Sequence, residues 1–213
     1  MQDVFIIGSK GLGNYGGYET FVMKLIDYHS SNQNIRYHIA CKANGSGYMD
    51  EKKLPGAKTV SPHHFKYRNA ICYKVPVKEQ FKSAQAIFYD IDSLKWAINH
   101  IKKHHIEHLI VYVLACRIGP FFEKYVKEIH QLGGKVFVNP DGHEWMRAKW
   151  SAPVRKYWKE SEKGMVKHAD LLVCDSINIE KYIKEEYGKY SPHTTFVAYG
   201  ADVALFLRTT SRQ

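Results

Sequence analysis

Only four cysteines occur in the 213 residues, Cys41, Cys72, Cys116 and Cys174, and no two stand close enough to form a Cys-x-x-Cys pair. That spacing argues against zinc ligands and against disulfide bridges. Three of the four fall in apolar runs that read as strands, so buried thiols in a reducing compartment are expected. No apolar run approaches the length of a membrane span, no signal peptide precedes the first apolar run, and neither repeats nor low-complexity stretches occur. Acidic charge is also scarce: 21 Asp and Glu face 31 Lys and Arg, a formal net charge of +10. Such an excess calls for an acidic partner, whether phosphate, nucleic acid or an anionic membrane face. A chain of this length can bury the core of one α/β domain and is short for two.

What the chain does carry begins with a glycine-dense loop. An apolar run, Val4 to Ile7, ends at Gly8, and Gly11, Gly13, Gly16 and Gly17 follow. Tyr18, Glu19 and Thr20 then open a stretch of helical spacing, with Phe21, Leu25 and Tyr28 on one stripe and Val22 and Ile26 beside it. Strand, glycine loop and helix start together present backbone N–H groups and a positive helix end to an anion, usually a phosphate. A tight strand-to-helix turn without a ligand is the plainer alternative. Gly11 to Gly16 also matches the G-x-G-x-x-G dinucleotide fingerprint. That fingerprint starts where its strand ends, here at Gly8, and needs an acidic residue closing the second strand. The second apolar run, Tyr37 to Cys41, closes on Lys42 and Ala43 instead. An NAD(P)-dependent oxidoreductase domain is therefore the less favoured reading.

Strand and helix patterns then alternate. A loop of Gly, Asn, Ser and Lys leads through Pro55 and Gly56 to strand material over residues 57–78. Ser83 to His104 is helical, with Ile87, Ile91, Leu94, Ile98 and Ile101 at spacings of three or four. Leu109 to Leu114 is continuously apolar, as in a parallel strand buried on both faces. Pro120 suits the first turn of a helix ending at Gly133 and Gly134. Val136–Val138, Leu171–Cys174 and Thr195–Ala198 read as strands, with helices from Pro153 to about His168 and from Ser176 to Tyr187. The rhythm predicts an α/β fold with a doubly wound parallel sheet, whose ligands bind outside the carboxyl ends of the strands. Each unusual polar cluster follows a strand: the glycine loop, Ala115-Cys116-Arg117, Asn139 to Trp145, Asp175-Ser176, and Tyr199 to Asp202. They are expected to converge on one cleft.

Three of these stretches carry a resemblance. Gly8 to Phe21 (G-S-K-G-x-x-x-Y-G-G-Y-E-T-F), Asn139 to Trp150 (N-x-D-G-x-E-W-x-R-x-K-W) and Ala198 to Asp202 (A-Y-G-A-D) resemble the N-terminal half of a bacterial family-4 retaining glycosyltransferase. Within that family the chain is similar to rhamnosyltransferases that build capsule or cell-wall polysaccharide on a lipid carrier. The middle motif is the specific one. The resemblance implies a GT-B architecture, two Rossmann-like domains facing across a cleft, with the acceptor in the N-terminal one. It implies that residues 1–198 are this Rossmann-like acceptor domain and 199–213 the start of a linker and tail, with the donor domain missing and the fragment inactive alone. Donor and acceptor would be a nucleotide-sugar, dTDP-rhamnose in particular, and a lipid-linked saccharide. The protein would sit in the cytoplasm, peripheral to the inner face of the cell membrane, and need no metal or other cofactor.

The same resemblance distributes roles. Gly16, Gly17, Glu19 and Thr20 would face the donor phosphates, although Glu19 also fits an ordinary acidic residue in a first helical turn. Asp141, His143 and Glu144 would sit at the acceptor hydroxyl, positioning it or handling its proton, with His143 the one that best fits a mere cap or turn. Arg117, Trp145, Arg147, Lys149, Asp175 and Ser176 would bind the acceptor, Ser176 fitting an N-cap equally well. Same-face attack assisted by the departing phosphate would require no nucleophile of this domain. The basic run Arg147, Lys149, Arg155, Lys156, Lys159, Lys163 and Lys167 is interleaved with Trp145, Trp150, Tyr157 and Trp158. On a helix, Ala152, Val154, Tyr157, Trp158, Ser161 and Met165 would pack while the lysines face outward, either as a plain solvated face or against an anionic membrane. A non-catalytic basic module for membrane or nucleic acid is the third reading, but no nucleic-acid-binding motif accompanies the charge, and none is expected as a partner.

Overall fold

A computed structural model describes residues 1–141 and 143–198. The first strand, β1 (Gln2–Ile7), runs through the glycine loop into α1 (Gly17–Tyr28) and β2 (Ile35–Lys42). A three-strand segment follows: β3 (Lys58–Ser61), β4 (His64–Tyr67) and β5 (Ala70–Val75). Then come α2 (Gln85–His104), β6 (Leu109–Leu114), α3 (Gly119–Gln131) and β7 (Lys135–Asn139). The described chain finishes with α4 (Ala152–His168), β8 (Leu171–Cys174), α5 (Ile177–Tyr187) and β9 (Thr194–Phe196).

The strands form one sheet in the order β3-β4-β5-β2-β1-β6-β7-β8-β9. From β5 to β9 every pairing is parallel, as the alternating pattern predicts. The edge departs from it: β3 and β4 pair antiparallel, as do β4 and β5, so residues 57–78 form a meander rather than another crossover. Connections this short cannot cross over a sheet, so antiparallel pairing is the only choice open to them. Chain order reverses at β1, with β2 on one side and β6 on the other. Because crossovers keep one hand, that reversal puts the helices on opposite faces. Phe5 and Ile7 point into the cluster that also holds Leu94, Phe122, Met165 and Ile183 from α2, α3, α4 and α5. Ile6, between them, joins Val22 and Ile26 of α1 in the other cluster.

The buried stripe of α1 is therefore Val22 and Ile26, while Tyr28, placed on the stripe by spacing alone, is exposed in the last turn beside His29. Residues Glu79–Ala84 are a kinked 3₁₀ segment ahead of α2, not the start of its helix. All four cysteines are buried and free. Ser176 caps α5, its hydroxyl accepting the Asn178 N–H at 3.2 Å.

Two close approaches fix the frame. At the end of β1, a Cβ on Gly8 (φ 108°) would lie 2.4 Å from the Leu114 carbonyl oxygen, so the ends of β1 and β6 meet only because this residue is glycine. On the far side of the sheet, α4 lies directly on α3. A Cβ on Gly119 would come within 2.1 Å of the Ser161 carbonyl oxygen, and one on Gly164 within 2.9 Å of the Gly119 carbonyl oxygen. The Ser161 hydroxyl completes the contact, accepting the Gly119 N–H and donating to the Cys116 carbonyl, both at 2.8 Å. Gly119→Ala should push the helices apart and destabilise the chain by about 1–3 kcal/mol, as overpacking does. Gly188→Ala is the control: φ is −52° and, among the described residues, nothing lies within 4 Å of a Cβ added there, so its stability should hold or rise slightly. Denaturant unfolding of the two variants checks the contrast.

Candidate functional site

The carboxyl ends of β1, β6 and β7 open onto one cavity of about 400 Å³. It sits where strand order reverses, the place where open α/β sheets bind ligands. Lys10 comes from the glycine loop, Ala115, Cys116 and Arg117 follow β6, and Pro140 and Asp141 follow β7. Trp145 and Trp150 contribute from the loop ahead of α4, and Trp158 and Glu162 from α4 itself. Ser83 and Ala86 close one rim.

At its back, Arg117 donates through Nη1 to Asp90 Oδ2 (3.0 Å) and to the Gly8 carbonyl (3.2 Å). Asp90 is wholly buried on α2. Burial pushes its carboxyl up, against the pull of Arg117 and Lys42. Burial also works against the Arg117 charge, but Asp90 beside it holds the guanidinium above its ordinary value. The Lys42 amine, closing β2, is lowered by burial and by the charges of Lys10 and Arg117. A dinucleotide binder carries an acid at that position.

Asp141 occupies a left-handed turn (φ 52°), and its N–H donates to Asn139 Oδ1 at 2.9 Å. Burial raises its carboxyl, while a hydrogen bond from Tyr18 and the charges of Arg117 and Arg147 oppose the rise. Glu144 lines the cavity with its charge already engaged: Arg147 Nε lies at 2.7 Å, Lys149 Nζ at 3.4 Å, and Trp150 Nε1 donates to it at 2.9 Å. His143 does not line the cavity. It is the left-handed N-cap of the 3₁₀ turn Glu144–Met146, and its ring packs 3.9 Å from that of Tyr182.

The other candidates lie elsewhere. Gly16, Gly17, Glu19 and Thr20 stand at the start of α1 and do not line the cavity. Glu19 is buried, and its Oε1 accepts the Lys10 N–H at 2.8 Å, so this carboxylate holds the glycine loop closed. Asp175 and Ser176 do not line it either. The motif Tyr199 to Asp202 and Gly142 lie outside the described residues.

The basic run corrects the outward-facing expectation for its lysines. Lys159 turns inward: its Nζ lies 4.3 Å from the centre of the Trp145 ring, donates to the Tyr182 hydroxyl at 3.0 Å, and pairs with Glu186 at 2.7 Å. Lys163 pairs with Glu160. Arg155, Lys156 and Lys167 are exposed. Sequence reading also missed Asp90 and Glu162, both buried acids. Each had a signal. Asp90 falls among Ile87, Ile91 and Leu94 on the apolar face of α2, and Glu162 stands four residues after Trp158 and three before Met165. Among the described residues no group of three or more His, Cys, Asp or Glu could hold a metal ion, and no helix is long and apolar enough to cross a membrane.

The chain belongs to the family described as a domain of unknown function (DUF1972), whose model matches residues 1–202. No curated protein matches it. It is similar in structure to the sucrose-phosphate synthase of Thermosynechococcus elongatus, at 12% identity and a TM-score of 0.57, over 96% of this chain and 50% of that one. It is also similar to an E. coli structure described as trehalose-6-phosphate bound with UDP-2-fluoro glucose, at 10% identity and a TM-score of 0.53, over 100% of this chain and 52% of that one. The chain thus spans about half the length of either. The likeness is one of fold, the Rossmann-like fold of GT-B glycosyltransferases.

The raised Asp141 carboxyl has a consequence for stability. A carboxyl with a folded pKa above its unfolded one supports folding fully below the unfolded value and loses that support as pH rises through the folded value. Asparagine tolerates the left-handed backbone. Asp141→Asn should therefore melt higher than the parent chain at about pH 7, and the gain should vanish as pH falls to the ordinary carboxyl value of 3.8. Thermal melts across that window check the sign.

Proposed function

We propose that this member of the family is the acceptor-binding half of a retaining glycosyltransferase. The observation that carries the reading is the cavity at the reversal of strand order, where tryptophans and carboxylates meet on a GT-B-type fold. Aromatic faces cover the apolar side of a sugar ring, and carboxylates take hydrogen bonds from its hydroxyls. Asp141, held in a fixed turn at the end of β7, orients the attacking hydroxyl or receives its proton. Arg147 and Lys149 bind the acceptor after releasing Glu144. The start of α1, with Gly16, Gly17 and Thr20, turns its helix end toward the phosphates of a nucleotide-sugar. Glu19 serves that end by closing the loop.

The finer reading makes the donor a dTDP-sugar, L-rhamnose by preference, and the acceptor a lipid-linked saccharide. Exposed Arg155, Lys156 and Lys167 on α4 support contact with an anionic membrane at the cytoplasmic face. The oxidoreductase alternative is not favoured, since Lys42 stands where a ribose-binding acid belongs.

In a two-domain enzyme carrying this domain, Asp141→Asn should lower turnover by about 100-fold while leaving donor binding nearly intact. The 213 residues alone should transfer no sugar. Radiolabelled transfer from dTDP-rhamnose, with donor affinity measured in parallel, tests both. Turnover near that of the parent enzyme would remove Asp141 from the reaction.

A further inference from the structure

Glu162 stands in a basic stretch, yet it is only 3% exposed. Two phenols donate to it, Tyr182 at 2.5 Å and Tyr187, and both bonds fall on the same oxygen, Oε1. Lys159 stands one hydroxyl removed: it donates to the Tyr182 hydroxyl and pairs with Glu186. A buried carboxylate is costly unless its lone pairs find donors, and two phenols on one oxygen leave the other without a donor among the described residues. Glu162 lines the cavity beside Trp158. The Trp158 Nε1–H is buried and has no hydrogen-bond partner among the described residues. Among the described residues Oε2 has no donor, and a hydroxyl entering the cavity supplies one; the Trp158 N–H is shut off from the cavity and takes no part.

The carboxylate is also held in place before any ligand arrives. Ser161, its neighbour, is bonded to both Gly119 and Cys116, and α4 rests on α3 through glycine. Asp141 shares the cavity: after burial, the charges of Glu162 and Asp141 are the next causes that raise the Cys116 thiol. Lys10, Arg117, Arg147 and Lys149 also line the cavity, but Arg117 is paired with Asp90, and Arg147 and Lys149 with Glu144. Glu162 thus has no paired cation among the described residues and disfavours a phosphate or an acid beside it.

We infer that Glu162 is the specificity-determining residue of the cavity, its Oε2 reading the hydroxyls of a neutral sugar ring. The inference rests on the glycosyltransferase reading and assigns that cavity a substrate class: an acceptor whose bound residue is uncharged. The contribution is one of binding, and no bond forms or breaks.

The test titrates this chain with methyl α-L-rhamnoside, N-acetylglucosamine, glucose and glucose 6-phosphate, following tryptophan fluorescence. Neutral saccharides should change the emission, and glucose 6-phosphate should bind no better than glucose. Glu162→Gln keeps an acceptor for the tyrosines but turns an N–H toward the cavity, and it should weaken binding at least about tenfold, the loss expected for an unpaired buried polar contact. Glu162→Asp, which keeps the charge but draws it back from the cavity by one methylene, should weaken it as well, and it carries the test should Glu162→Gln fail to fold. Equal binding by the folded variants, tighter binding of glucose 6-phosphate, or no response to any neutral saccharide would overturn the inference. The glycosyltransferase reading stands or falls separately, on transfer by the two-domain enzyme: Glu162-dependent saccharide binding without transfer would refute that reading and keep this one.

Discussion

The ion pair between Arg117 and Asp90 holds the site together. One guanidinium nitrogen joins the end of β1, through the Gly8 carbonyl, to the Asp90 carboxylate of α2, from a loop that follows β6. Those elements border the point where chain order reverses, so the pair closes the seam that a doubly wound sheet leaves open. Its burial makes it costly to break: removing one partner of such a pair typically costs about 3–5 kcal/mol, because the other charge is stranded. Gly8 lets the two strand ends approach closely enough for the pair to form.

The second wall depends on the first through α3. That helix leaves the Arg117 loop immediately, and Gly119 in its first turn receives α4 at backbone contact. Trp158 and Glu162 are placed by this contact. The Tyr157 hydroxyl adds a bond to the Arg117 carbonyl at 2.8 Å. The cavity is thus bounded by helices and strand ends, and by the stretch from Glu144 to Trp150, whose charges close on one another. A ligand reaching Arg147 or Lys149 must compete with Glu144.

Much of this was legible in the sequence because periodicity reports burial. The bounds of β6 and β8 follow directly from their apolar runs, and Pro120 and Ser176 mark helix starts where the structure has them. The convergence of Lys10, Arg117 and Asp141 followed from strand ends sharing one edge of a parallel sheet. Pairing direction at β3–β5 was not legible, since a strand's pattern shows which residues are buried but not which way the neighbour runs. Nor was the inward turn of Lys159, a long side chain whose head found tyrosines and Glu186 from α5, far away in sequence. Glu19 shows the same limit: nothing local says that its carboxylate reaches back nine residues to the Lys10 amide.

The central claim is that the cavity at the strand-order reversal takes the sugar acceptor. Backbone NMR of the chain titrated with N-acetylglucosamine or methyl α-L-rhamnoside tests it most directly. Shift changes should gather at residues 115–118, 140–150 and 157–162, with little at the outer face of α3. Changes centred on the glycine loop or on α3, or none at saturating saccharide, would contradict it.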